Sequence, residues 1–217
     1  GRNGYGAKLV SVFSKKFTVR IGDPNNKKLF EQTWTDNMSV VEKAKVKNFN
    51  NKNGFTEVTF YPDLEKFGIS SLGDHFGLFA KRCVDISGSS KKLKVYFNGK
   101  KIEIPDFKSY VNCYYPNTNF IIDDKNSRWN IAVGFLPEKG DKYISNANGI
   151  NTYLGGTHVN HVVDNIVNCL KNDYILKKNK ELRVTNNSIK QHLVFIINAV
   201  IENPTFSSQT KNTLTSK

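Results

Sequence analysis

Polar and apolar residues alternate along short stretches of this chain, and only two runs carry a longer apolar signal. Leu9, Val10, Val12 and Phe13 follow a glycine-rich opening and predict a helix from about Tyr5 to Ser14. Lys16-Phe17-Thr18-Val19-Arg20-Ile21 alternates with period two, as a half-buried strand does. Asp23-Pro24-Asn25-Asn26 reads as a turn, with Lys28 to Trp34 as the partner strand of a hairpin. A further strand is expected at Thr56 to Phe60 and a helix from Gly73 to Ile86. Leu93 to Phe97, Asn98-Gly99 and Lys100 to Ile104 give the strongest hairpin signal, because Asn-Gly suits a two-residue turn with positive φ at both positions. The second half opens with strands at Arg128 to Phe135 and Lys142 to Asn146. Val159, Val162, Val163, Ile166, Val167 and Leu170 then recur at three-and-four spacing, so Gly155-Gly156-Thr157 starts a helix with Thr157 as its expected N-cap. After a basic loop, the apolar run from His192 to Val200 predicts a second helix, ended by Asn203-Pro204. The elements together predict a mixed α/β fold. The turn-rich stretch from Asn112 to Lys125 is the expected domain boundary, giving domains 1–112 and 113–217.

Two short segments have the chemistry of phosphate grips. Gly1-Arg2-Asn3-Gly4-Tyr5-Gly6-Ala7-Lys8 packs three glycines, an amide, a tyrosine and two cations ahead of a helix. Glycines let backbone N–H groups approach one anion closely, and a helix N-terminus adds free N–H groups and partial positive charge. The segment is not a P-loop, since Lys8 is followed by Leu9 rather than Ser or Thr. Gln209-Thr210-Lys211 offers an amide, a hydroxyl and an ammonium, which suits a terminal phosphate. Each segment alone also fits an ordinary surface loop; together they point to a nucleoside triphosphate held between distant parts of the chain.

Composition adds a second polyanion. The 217 residues carry a formal net charge of +13, which fits a nucleic-acid partner and equally a highly soluble surface. Lys171, Lys177, Lys178, Lys180, Arg183 and Lys190 crowd one stretch, opposed by Asp173 and Glu181. That stretch reads either as a solvated helix end or as a phosphate-contacting loop. Cys83, Cys113 and Cys169 are widely spaced and odd in number, so neither a disulfide framework nor a zinc knuckle is indicated. His158 and His161 have no ligand pattern around them. No membrane-length apolar run or signal peptide is seen. The chain starts inside a motif without an initiator Met, which reads as a fragment of a longer protein.

Four ordered motifs resemble the ATPase region of eukaryotic-type type II DNA topoisomerases. Gly1 to Lys8 is similar to that family's ATP lid, and Gln32-Thr33-Trp34-Thr35-Asp36-Asn37-Met38 to its first-hairpin segment. Gly155-Gly156-Thr157-His158-Val159 resembles the start of its transducer helix, and Glu202-Asn203-Pro204-Thr205-Phe206 through Lys211 its switch loop. The resemblance implies the back part of an ATPase sandwich of the gyrase, Hsp90, histidine kinase and MutL type, followed by a transducer domain with a βαβ core. It implies ATP bound by Gly1, Arg2, Asn3, Gly4, Tyr5, Gly6, Ala7, Lys8, Gln209, Thr210 and Lys211, with Lys211 acting in catalysis. It aligns Leu176-Lys177-Lys178 with a short lysine run that touches DNA; here the first position is Leu176. It further implies double-stranded DNA as partner, a homodimeric parent, a nuclear location, and magnesium whose ligands, like the general base and the DNA-cleaving tyrosine, lie outside this chain. The fragment alone is then expected to be inactive. The competing expectations are a non-catalytic DNA-binding or dimerisation piece and another gyrase-like ATPase such as a mismatch-repair protein.

Overall fold

In the computed structural model, which describes residues 4–90, 92–140 and 142–216, packing divides the chain into two units, Gly1–His75 and Phe76–Lys217. The first is built on a hairpin. Helix α1 (Tyr5–Val12) runs into β1 (Ser14–Asp23), which turns back as β2 (Lys28–Thr35). Asp23 makes the turn: its Oδ1 accepts from the N–H groups of Asn25 (2.8 Å) and Asn26 (3.2 Å), and Lys27 takes a left-handed φ of 51°. β5 (Phe55–Pro62) pairs antiparallel with the other side of β1, while β3 (Val40–Val41) and β4 (Lys45–Asn48) both line the outer edge of β2. The alternation expected from sequence sorts the faces. Phe17, Trp34 and Phe60 share one row, and the rings of Phe17 and Trp34 lie 6.0 Å apart. In a row of the opposite face Arg20 lies between Glu31 (3.2 Å) and Glu57 (2.9 Å). β3 and β4 were not legible, since β3 is only two residues long and β4 is a short, exposed stretch with two lysines.

The second unit holds a mixed five-stranded sheet in the order β11-β10-β12-β9-β8. Its strands are β8 (Phe120–Asp123), β9 (Trp129–Phe135), β10 (Lys142–Ala147), β11 (Ile150–Asn151) and β12 (Leu193–Ala199). β12 corrects an expectation, for the run from His192 to Val200 is a strand and not a helix. It sits at the centre of the sheet, parallel to β10 and antiparallel to β9. Both of its faces are covered, so its sequence from Leu193 to Ile197 is continuously apolar and lacks alternation. Phe195 and Ile197 pack on Val159, Val162, Val163 and Val167 of α4 (Thr157–Cys169). Ile196 packs with Ala132 against Phe107, Tyr110 and Val111 of α3 (Phe107–Tyr114). β10, α4 and β12 therefore form the expected βαβ unit.

The helix expected from Gly73 is a 3₁₀ turn, Gly73–His75, followed by α2 (Phe76–Ser89). The hairpin around Asn98 (φ 48°) and Gly99 (φ 76°) forms as expected but is short, with β6 (Tyr96–Phe97) and β7 (Lys100–Lys101). The boundary expected at 112/113 falls inside α3, where packing is continuous: Phe107, Tyr110 and Val111 are fully buried. A buried polar cluster fastens α2 and α3 to the sheet. Asp85 accepts from the hydroxyls of Tyr110 (2.9 Å) and Tyr114 (2.5 Å) and from Lys81 Nζ (2.7 Å). Asn146 Nδ2 donates to Tyr110 Oη (3.0 Å) and to Asn198 Oδ1 (2.8 Å). Desolvation, with the Asp85 carboxylate beside it, pushes the Tyr110 hydroxyl far above the usual phenol range.

Candidate nucleotide and DNA contact segments

Of the lid motif, Gly1, Arg2 and Asn3 lie outside the described residues. Gly4 is the N-cap of α1 and takes a left-handed φ of 68°, a conformation that suits glycine. A Cβ built on Gly4 or Gly6 meets nothing within 4 Å, so the backbone here stands open to a ligand. Tyr5, Ala7 and Lys8 are exposed, and no acidic residue occupies the first turn. The first N–H groups of a helix have no intrahelical partner, so this end offers donors and partial positive charge to an anion. The far end of α1 is held by the second motif. Asn37 Nδ2 donates to the carbonyl of Val12 (3.0 Å), and the N–H groups of Asp36 and Asn37 donate to the carbonyls of Lys15 and Ser14. Asp36, Asn37 and Met38 all have positive φ, a strained run whose hydrogen bonds cap the helix and enter the sheet.

In the second unit the chain leaves β12 under restraint. Arg128 Nε donates to the Val200 carbonyl (3.1 Å) and its guanidinium pairs with Glu202 (3.3 Å). Asn148 exchanges two hydrogen bonds with the backbone of Ile201 (2.7 and 2.9 Å). Past Asn203, at φ 47°, a small hairpin forms. Phe206 bridges Leu214, Ser207 N–H donates to the Thr213 carbonyl (3.1 Å), and Thr215 N–H donates to the Thr205 carbonyl (2.9 Å). Its tip presents Gln209 and Thr210 to solvent. Lys211 sits at φ 59° with its N–H on the Ser208 carbonyl (3.1 Å), and its ammonium lies 5.9 Å from the centre of the Phe206 ring.

The structure brings this hairpin together with the Gly155-Gly156-Thr157 motif. Leu214 N–H donates to the Gly155 carbonyl and Thr157 N–H to the Leu214 carbonyl, both at 3.1 Å. A Cβ on Gly156 would stand 2.3 Å from the Leu214 oxygen, so the approach requires glycine. The N-cap of α4 is Gly156 and not Thr157. Thr157 is the first helical residue, and its Oγ1 instead donates to the Ser216 carbonyl. His158 is buried beside this join, 3.2 Å from Thr152 Oγ1, and burial lowers its pKa to about 4. Sequence reasoning missed Leu214, which takes part through backbone groups that no side-chain pattern announces.

The basic stretch is helical, not a loop, through Lys178. α4 continues as a π-helical turn (Leu170–Ile175) and then as α5 (Leu176–Lys178). Half-buried positions step by five across the π turn, from Leu170 to Ile175 and from Lys171 to Leu176. Leu176 thus lies on the inner side, while Lys177, Lys178, Lys180 and Arg183 are exposed. Leu176, expected in the DNA-contacting run, is not presented with the two lysines. Lys177 Nζ rests 3.3 Å from Asp173.

A family model described as DNA gyrase B matches residues 86–217. The chain is 43% identical to a probable DNA topoisomerase 2 of Dictyostelium discoideum, over 100% of its own length and 15% of the relative's. It is also 43% identical to human DNA topoisomerase 2-alpha, over 99% of its length and 14% of that protein's. Among solved structures, the ATPase and transducer domains of DNA topoisomerase II from Balamuthia mandrillaris superpose with a TM-score of 0.95 at 38% identity. The ATPase region of Saccharomyces cerevisiae topoisomerase II does so at 0.91 and 40%. The chain is covered fully in both cases, and each time 56% of the other chain is covered. Whole-length identity of this order, with all four motifs in sequence, shows that the chain belongs to the eukaryotic DNA topoisomerase II family.

Proposed function

We propose that this chain is the ATP-sensing and DNA-contacting part of a nuclear, homodimeric type II topoisomerase that passes one duplex through a transient double-strand break. The observation that carries the reading is the presentation of Lys211 at the tip of a restrained hairpin, in a backbone conformation that costs an L-residue energy. Such strain points to a positioned functional group. ATP, when bound, supplies the phosphoanhydride whose cleavage drives the cycle. Gly4 and Gly6 fit its phosphates, because neither carries a side chain and the space where a Cβ would stand is open. Tyr5, Ala7 and Lys8 extend that grip, with Gly1, Arg2 and Asn3 ahead of it. Lys211 supplies a compact positive charge to the γ-phosphate and to the charge that builds there during transfer. Gln209 and Thr210 orient the same group by hydrogen bonding. Lys177 and Lys178 meet duplex phosphates without reading sequence. The reading assigns magnesium to ligands outside this chain.

The test uses the full-length protein. Lys211→Ala is expected to weaken binding of a non-hydrolysable triphosphate by roughly 10²-fold, the scale for losing one preorganised charge contact. Diphosphate binding is expected to change by less than about threefold. Lys177→Ala with Lys178→Ala is expected to abolish DNA-stimulated ATPase and leave basal turnover in place. The salt slope of duplex binding is expected to fall by about 1.8, the release from two phosphates. Equal loss of triphosphate and diphosphate affinity overturns the role of Lys211, and an unchanged slope overturns that of the lysines.

A further inference from the structure

Between the central strand β12 and the hairpin that carries Lys211, the chain must change direction. The strand ends at Ala199, and the hairpin is closed at Thr205, whose carbonyl accepts from the Thr215 N–H at 2.9 Å. The connection begins with Val200, Ile201 and Glu202, and burial does not fix it: Val200 is 50% exposed, and Glu202 is exposed as well. Hydrogen bonds from both neighbouring strands fix it instead. On the β9 side, Val200 N–H donates to the Arg128 carbonyl (2.8 Å), and Arg128 Nε returns a bond to the Val200 carbonyl (3.1 Å). On the β10 side, Asn148 N–H donates to the Ala199 carbonyl (2.8 Å). The Asn148 side chain then stands in for one more strand residue. Its Nδ2 donates to the Ile201 carbonyl (2.9 Å), and its Oδ1 accepts from the Ile201 N–H (2.7 Å). A side-chain amide offers a donor and an acceptor together, as a backbone residue does. Asn148 does this from the turn between β10 and β11, at a left-handed φ of 51° that asparagine tolerates better than most residues. The ion pair between Arg128 and Glu202 is exposed on both sides, and solvent screens it.

We infer that Asn148 and Arg128 are positioning residues for Lys211: they grip the chain from both sides as it leaves β12 and so aim the hairpin. This rests on the role proposed above for Lys211. Neither side chain needs to touch the nucleotide. Each extends the hydrogen-bonded ladder past the end of β12, where backbone pairing alone has stopped, so the direction in which the chain departs is set by two side chains. Loss of either grip leaves the hairpin intact but lets its tip wander, and a charge contact depends steeply on where the charge is held.

The experiment measures, in the full-length protein, how much more tightly a non-hydrolysable adenosine triphosphate analogue binds than ADP. Asn148→Gly removes the amide and keeps a turn that glycine accepts at positive φ. It is expected to lower the triphosphate preference about tenfold, the scale for a displaced contact, with ADP affinity unchanged. Arg128→Lys keeps the charge but loses the rigid Nε–H that meets the Val200 carbonyl, and is expected to lower the preference about threefold. The decisive measurement is a double-mutant cycle. Once Lys211→Ala has removed the group being aimed, adding Asn148→Gly is expected to change the preference by less than about twofold. A purely structural role would weaken binding in both backgrounds alike. A full preference in Asn148→Gly, equal loss of triphosphate and ADP affinity, or additive losses in the cycle each overturns the inference. Arg128→Lys, taken through the same cycle with the same outcomes, decides the matter where Asn148→Gly fails to fold. An unchanged preference in Lys211→Ala alone would instead remove the reading of Lys211 on which the inference stands.

Discussion

Asp173 shows how a single carboxylate sets the strength of a neighbouring contact. Its oxygen lies 3.3 Å from Lys177 Nζ, one turn away and on the exposed side of the helix. An exposed pair of this kind adds little stability, since solvent screens it. It does oppose a phosphate approaching Lys177, which must displace or share the partner. Asp173→Asn is therefore expected to tighten duplex binding two- to fivefold at low salt and to leave the melting temperature within about 1 °C. Filter binding across a salt series checks this. His158 carries the opposite kind of charge effect. Burial favours its neutral form, lowering its pKa to about 4 from the ordinary 6.5. The unfolded chain takes up the proton first as pH falls, so the stability contributed by the neutral ring is complete above pH 6.5. It is lost as pH falls from 6.5 towards 4, at up to about 1.4 kcal/mol per pH unit. Denaturant unfolding of the domain over that window is expected to show this slope, and His158→Gln to flatten it.

Elements differed in how plainly the sequence announced them, and the differences have physical causes. The hairpins at Asp23 to Lys27 and at Asn98-Gly99 were legible because a turn needing positive φ or an Asx contact selects its residues. The α4 stripe was legible because one face of that helix meets the sheet and the other meets solvent. β12 failed the same reading because neither face meets solvent, and a seven-residue buried run has no period to measure. Its β-branched content, Val194, Ile196 and Ile197, was the available clue. α3 went unread although Asp106 caps it through the Ser109 N–H at 2.7 Å, since the surrounding turn residues dominated the pattern. At the candidate sites the residue types of Gly1 to Lys8 and of Gln209 to Lys211 marked both segments as candidate phosphate grips, while no such signal marked the join between Gly156 and Leu214. Gly88 presents an untested element contact of the same kind. A Cβ there would stand 2.1 Å from the Tyr110 ring, on the seam where α2 meets α3. Gly88→Ala is expected to destabilise the second unit by about 1–3 kcal/mol, the cost of overpacking a tight contact, without changing nucleotide affinity in protein that remains folded. Denaturant midpoints and a nucleotide titration separate the two effects.

At the scale of the molecule, the two units are built to different standards of closure. The second has a sheet covered on both faces, with a polar cluster tying its helices down. The first leaves Val58, Phe60 and Tyr61 of its edge strand about half exposed, together with Val46 at the opposite edge. An open apolar edge of this sort is a liability in isolation and is usually covered by other structure. Its motifs are therefore informative about chemistry long before the unit itself is self-sufficient.

The position of β12 also governs the order of events when the protein is made. The strand that joins β8 and β9 to β10 and β11 is the last of the sheet to be synthesised. Until it emerges from the ribosome, the earlier strands exist as two separate antiparallel pairs with no common centre. At roughly 5–20 residues per second, the wait between completing β9 and completing β12 lasts several seconds. During that interval the valines of α4 have no sheet to cover, and the nascent chain presents them to whatever holds it. The hairpin strand that reaches back to Gly156 follows β12 in sequence, so the lysine proposed to sense the nucleotide emerges only after every strand of this sheet has been made.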